Sequence, residues 1–163
     1  MHKFMEPVIK TSTEKKLIGK KMKMTITADK THKLWKSFMM QRSEIKNNLS
    51  NNLLSIQLYT TNFSDFTITT PFTKWAAIEV ANFDPVPDGM ETFILPPGLY
   101  AVFQYKGSPK DYAPTFQYIF GTWFLDSIYE VDDRPHFEVL GEKYKNDSPD
   151  SEEEIWVPVR FKN

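Results

Sequence analysis

The sequence predicts an α+β sandwich, a curved antiparallel sheet with two helices on one face. It is built from a duplicated strand-helix-strand-strand unit, with a ligand groove between the pseudo-symmetric halves. Three observations predict it. Laid on itself at an offset of 81 residues, the chain places Trp75 on Trp156, Trp35 on Phe116 and Phe38 on Ile119. The same offset places Ile56 and Leu58 on Phe137 and Val139, and Ala76 and Ile78 on Val157 and Val159. Both copies carry short runs of alternating apolar and polar residues, the period of a strand, and each holds one segment with apolar residues at helical spacing. A chain of 163 residues fits one such domain, with half-units at about 7–83 and 90–161.

In the first unit, Leu17 to Met24 alternates as a half-exposed strand. Thr31 is the expected N-cap of a helix from about His32 to Lys46, whose apolar face is Leu34, Trp35, Phe38, Met39 and Ile45. The Asn-rich run Asn47 to Asn52 ends that helix. Leu54 to Tyr59 alternates as a strand, Thr60 to Thr70 is a polar loop, and Lys74 to Val80 is the closing strand. The turn formers of Asp84-Pro85-Val86-Pro87-Asp88-Gly89 make the joint between the halves.

The second unit opens at Glu91 to Leu95, breaks at Pro96-Pro97-Gly98 and runs as a strand from Leu99 to Tyr105. A helix is expected from about Tyr112 to Leu125, with Phe116, Ile119, Phe120, Trp123 and Phe124 as its apolar face. His136 to Leu140 and Ile155 to Val159 are the last strands, joined by the acidic loop Asn146 to Glu152.

Composition excludes several functions. A net charge of -1 offers no field for nucleic acid or an anionic membrane surface. The absence of cysteine removes disulfides, thiolate nucleophiles and Cys-based metal sites. No signal-like segment occurs in Met1 to Lys16, and no apolar run approaches a membrane span, so a cytoplasmic protein is expected. His2, His32 and His136 are scattered, so no metal site is expected. Gly98 and Gly107 are isolated turn glycines rather than a phosphate loop, and no cofactor is expected. Nothing in the sequence sets the oligomeric state.

Four strings in order resemble the GyrI-like, or AraC-type, effector-binding family. They are Pro96-Pro97-Gly98-Leu99-Tyr100-Ala101-Val102-Phe103, Lys106-Gly107, Arg134-Pro135-His136-Phe137-Glu138-Val139 and Glu152-Glu153-Glu154-Ile155-Trp156-Val157-Pro158-Val159. The resemblance runs from about Pro7 to Phe161 and implies a small-molecule cleft between the halves. In that family some members follow a helix-turn-helix in transcription regulators and others stand alone. With no room for a DNA-reading domain before Leu17, and no basic patch, this chain resembles the stand-alone type. Some stand-alone relatives are linked to protection from toxins, including hydrolysis of cyclopropane-bearing genotoxins.

Strand alternation sorts the candidate residues. If the aliphatic sets Phe137/Val139 and Ile155/Val157/Val159 pack under the helices, then His136, Glu138, Glu154 and Trp156 look together into the groove. Glu138 stands first, because its place in Phe137-Glu138-Val139 matches the buried glutamate that the resemblance implies. The bland alternative is a glutamate on an open, solvated face. Glu154 ends an acidic run and is weaker. Tyr100 is expected to orient a ligand or water through its hydroxyl, Trp156 to be a pocket wall, and Trp123 to lie near the cleft or in the core. Trp75 is included as the equivalent of Trp156, and Glu79 is a reserve carboxylate.

A carboxyl among rings is costly to ionise unless a cation meets it. The leading expectation is therefore a stand-alone binder of hydrophobic, cationic or toxic small molecules. The second is a hydrolase of strained electrophilic rings, with Glu138 as base for water and Tyr100 assisting. The third, implied by the family resemblance alone, is an inhibitor acting on a protein partner such as a topoisomerase.

Overall fold

Alternating segments form the expected strands and two further ones, Val8–Ser12 and Tyr129–Val131, that their short patterns do not announce. The computed structural model describes residues 6–145 and 148–163; His2 and Asn146 lie outside these. Its strands are β1 Val8–Ser12, β2 Lys15–Met24, β3 Asn48–Tyr59, β4 Phe72–Val80 and β5 Glu91–Leu95, followed by β6 Gly98–Lys106, β7 Tyr129–Val131, β8 His136–Leu140 and β9 Glu152–Phe161. The sheet runs β1-β6-β9-β8-β3-β4-β2-β5, every pairing is antiparallel, and β7 joins the end of β9.

The strand pairing obeys the duplication. Moving both members of the β3–β4 pair Ile56↔Trp75 by the offset gives the β8–β9 pair Phe137↔Trp156. In the same way Lys20↔Ala76 of β2–β4 becomes Ala101↔Val157 of β6–β9. Ile56 and Phe137, themselves equivalent, pair directly where β3 meets β8, so the pseudo-twofold passes through them. The outer strands are exchanged. Lys10↔Tyr100 ties β1 of the first half to β6 of the second, and its equivalent Gly19↔Glu91 ties β2 to β5. Each half completes its sheet with a strand from the other.

Helix α1 spans Thr31–Gln41 and continues as a 3-10 turn over Arg42–Glu44. Thr31 is its first residue rather than its cap: the Asp29 carboxylate accepts the Thr31 backbone N–H at 2.9 Å. The helix stops short of Lys46, and β3 starts inside the Asn-rich run, whose side chains compete with helical hydrogen bonds. Leu34 and Phe38 are buried against Ile18, Ala76, Ile78 and Val80. In the second half α2 spans Tyr112–Tyr118, passes through a π-helical turn Ile119–Trp123 and ends in α3, Phe124–Asp126. Ile119 and Phe124 pack on Ala101, Phe103, Ile155 and Val157. Among the described residues no helix is long and apolar enough to cross a membrane.

Both helices lie on one face of the sheet. The other face carries a separate core of Leu17, Ile56, Trp75, Leu95, Tyr100 and Phe137, all buried. Gly19 belongs to this arrangement by close approach. A Cβ there would stand 2.1 Å from the Ala76 carbonyl oxygen and 2.7 Å from the Ala77 Cα, both backbone. Strands β2 and β4 must part to admit even a methyl group, so Gly19→Ala is expected to cost about 2 kcal/mol or more. Urea unfolding of the variant and wild type checks this; an unchanged midpoint would refute the close approach.

Candidate functional site

The floor of the site follows from the register of β3 on β8. Residues directly opposite one another share a face. The pairs Ser55↔Glu138 and Gln57↔His136 therefore bring four polar side chains together on the helix-bearing face, along the seam between the two helical layers. Over this seam lies a cavity of about 330 Å³. Gln57, His136 and Glu138 line it, with Ile155 and Val157 of β9 and Lys74 of β4.

Aromatic rings form the walls. Tyr59 and Phe72 come from the ends of β3 and β4, Phe63 and Phe66 from the loop between them, and Tyr112, Phe116 and Phe120 from the second helical layer. Tyr112, Phe116 and Phe120 recur at fourth positions, so helical geometry puts them on one face. Phe63 stands 4.7 Å from Phe120 and 4.8 Å from His136, ring centre to ring centre. One loop residue thus closes the ring wall between the two halves.

The electrostatics are those of a dry site. Burial pushes the Glu138 carboxyl up to about 7, with the Lys74 charge and a Gln57 hydrogen bond opposing that rise. The bond is long: Gln57 Nε2 donates to Glu138 Oε1 at 3.4 Å, and to Ser55 Oγ at 3.4 Å. Burial holds His136 down at about 3, so its imidazole is neutral at physiological pH and packs as a ring. Tyr59 is raised by burial and by the charge of Glu138. Lys74 Nζ donates to Thr31 Oγ1 at 3.0 Å, which anchors the cavity's cation to the start of α1.

The expected grouping of Glu154, Trp156 and Tyr100 with Glu138 does not occur. Glu138 pairs with Ile155, and Phe137 pairs with Trp156, so Trp156 shares the face of Phe137. The helices pack on the face that holds Glu138, Ile155 and Val157, whereas alternation had assigned Phe137 to the helix side. Trp156 adjoins the cavity, but its ring stacks on Phe137 at 5.1 Å on the other face. Its Nε1 donates to Glu154 Oε1 at 3.0 Å, and Glu154 Oε2 accepts from Gln104 at 3.2 Å.

Tyr100 is fully buried in that same core, where its hydroxyl donates to the Pro135 carbonyl at 3.1 Å and Arg134 covers its ring at 4.7 Å. Trp75 is buried there too, against Phe93 at 5.2 Å. Glu79, on the face of Trp75, lies away from the cavity. Trp123 packs edge-on against Phe103 and donates to Glu6 at 3.0 Å, outside the cavity lining. Of the expected residues, Glu138, His136 and Trp156 border the cavity, Trp156 with its ring turned to the face of Phe137. Sequence reasoning missed Gln57, Tyr59, Phe63, Phe66, Phe72, Lys74 and Tyr112. One signal was available: Gln57 is the duplication equivalent of Glu138.

Residues 5–160 match the model of the GyrI-like small molecule binding domain. The chain belongs to the GyrI-like family. Over 85 residues this GyrI-like domain is 31% identical to the transcriptional regulator BrlR of Pseudomonas aeruginosa, a match that takes in 52% of the chain and 32% of that regulator. The structure of SAV2435 bound to tetraphenylphosphonium superposes with a TM-score of 0.72 at 18% identity, over 96% of this chain and 94% of that one. A hydrolase encoded by lin2189 from Listeria innocua gives 0.60 at 10% identity, over 95% and 92% of the two chains. These structural likenesses establish the fold.

The raised Glu138 carboxyl makes the stability of the GyrI-like domain depend on pH. Below the ordinary carboxylate value of 4.5 the group is protonated folded and unfolded, and no penalty exists. Between 4.5 and about 7 the unfolded chain loses this proton while the folded one keeps it, so the group's contribution is lost as pH rises. Glu138→Gln, neutral throughout, should therefore gain on wild type across this window, by roughly 3 kcal/mol at most. Denaturant midpoints of both proteins at pH 4 to 9 check it, and a constant difference would disprove the burial cost.

Proposed function

We propose that the cavity captures hydrophobic organic cations, with Glu138 meeting the charge and the ring walls meeting the body of the ligand. The observation that carries this reading is Glu138 itself. It is a half-buried carboxyl opening on an aromatic cavity, held by one long hydrogen bond and by no ion pair among the described residues. A cation entering there replaces lost solvation and gains cation–π contacts worth roughly 0.5–2 kcal/mol each. The cavity volume lies within the usual range for small-molecule sites. Lys74 does not serve instead: its ammonium is tied to Thr31, and Glu138 stays raised in its presence. The reading is supported by the fold shared with SAV2435, whose structure holds tetraphenylphosphonium.

Ionised Glu138 is the binding form, so cation affinity should climb as pH rises toward about 7 and level off above it. Calorimetry with tetraphenylphosphonium and with a neutral tetraphenyl analogue tests both points. In Glu138→Gln the cation should weaken about tenfold or more and lose its pH dependence, while the neutral analogue is spared. Equal loss for both compounds would show that Glu138 only shapes the cavity.

A second reading, hydrolysis of a strained electrophilic ring, has one observation in its favour. A carboxyl held at about 7 is balanced between taking and giving a proton at neutral pH. Tyr59 and Tyr112, not Tyr100, are the tyrosines that share the cavity with it. Consumption of a cyclopropane electrophile by wild type, abolished in Glu138→Gln, would select this reading over capture.

A further inference from the structure

The geometry points to a second anionic subsite at Glu153, which makes the cavity selective for ligands with two positive centres. This rests on the reading of Glu138 as a cation acceptor and extends it. Glu138 pairs with Ile155, so Glu153, two residues back along β9, is its diagonal neighbour on the same face. Diagonal neighbours stand about 7–8 Å apart at Cα, within reach of long side chains.

Glu153 is a buried acid that nothing in the fold explains. It is 6% exposed, and its Oε1 is buried without a hydrogen-bond partner. A buried acceptor left unsatisfied costs its full desolvation. Burial pushes Glu153 up to about 7, as it does Glu138, and Lys74 is the cation that opposes the rise in both. Neither acid has an ion pair among the described residues.

The route between the subsites runs past Tyr112. Tyr105 is the cross-strand partner of Glu153 and packs at 4.6 Å on Tyr112, which lines the cavity. The segment Tyr112–Tyr118 has no fully buried residue, so displacing the Tyr112 ring sacrifices little packing and opens the cavity toward Glu153. The fitting ligand carries two ammonium or amidinium groups on one short body, to meet two carboxylates whose backbones stand about 7–8 Å apart at Cα. An aryl body between them would lie along Tyr112 and Phe116. Its second cation supplies the donor that Glu153 Oε1 lacks.

Calorimetry with p-xylylenediamine and benzylamine, a dication and a monocation on the same ring, tests this in wild type, Glu153→Gln and Glu138→Gln. Wild type is expected to favour the dication about tenfold or more, the yield of one further charge-assisted hydrogen bond. That ratio should collapse to about one in Glu153→Gln, with circular dichroism confirming the fold. A wild-type ratio near one, which needs no variant, or a ratio unaffected by Glu153→Gln, would overturn the second subsite. If neither compound depends on Glu138, it is the cation-capture reading that fails.

Discussion

The pairing of β3 with β8 at Ile56↔Phe137 is the constraint on which the rest of the molecule depends. It joins the two halves across their pseudo-twofold, and it sets the faces of every residue on both strands. A slip of β8 by one residue against β3 would turn Phe137 and Val139 toward the helices and send His136 and Glu138 into the opposite core. That core of Leu17, Trp75, Tyr100 and Phe137 is closed and apolar, so the slip would bury a carboxyl without a partner. The register is therefore held by the cost of its alternative. The function proposed for the cavity depends on the same pairing, because it alone brings Ser55, Gln57, His136 and Glu138 together.

The seam is polar because neither helix covers it. Helix α1 packs over β2 and β4, and the second helical layer over β6 and β9, which leaves the central strands to the loop and helix rings. A site so placed is enclosed on three sides by elements from both halves, yet its floor belongs to the most deeply paired strands. A floor of paired strands and walls of loop and helix rings suit a cavity that fits ligands by shape while its floor reads charge.

Duplication supplied the frame, and divergence between the copies supplied the chemistry. At equivalent positions stand Gln57 and Glu138, Ser55 and His136, Lys74 and Ile155, Phe72 and Glu153. Each exchange places a titratable or charged group on one side of the axis only. The second half thereby holds the half-buried Glu138 and the buried Glu153, and the first half holds Lys74, Tyr59 and the ring-bearing loop. Gly19 and Tyr100 diverge in the same way on the opposite face, where one half needs close strand approach and the other a large ring.

The sequence by itself determined the order of both helices and of every strand but β1 and β7, the duplication and its offset, and the α+β class, because these depend on local periodicity and on self-similarity along the chain. It also put Glu138 and His136 on one face of one strand, since alternation within a strand is local. Which face met the helices was decided only by the tertiary structure. Alternation sorts a strand into two sets but says nothing of what lies above each, and the pairing of Phe137 with Trp156 took Trp156, and Glu154 clasped to it, away from Glu138. The short strands β1 and β7 exist through pairing with β6 and β9 rather than through pattern. Phe63 and Phe66 lay in a loop legible only as polar, and no local pattern singled out Lys74 or Glu153. Their roles come from contacts between residues far apart in the chain, which no local spacing encodes.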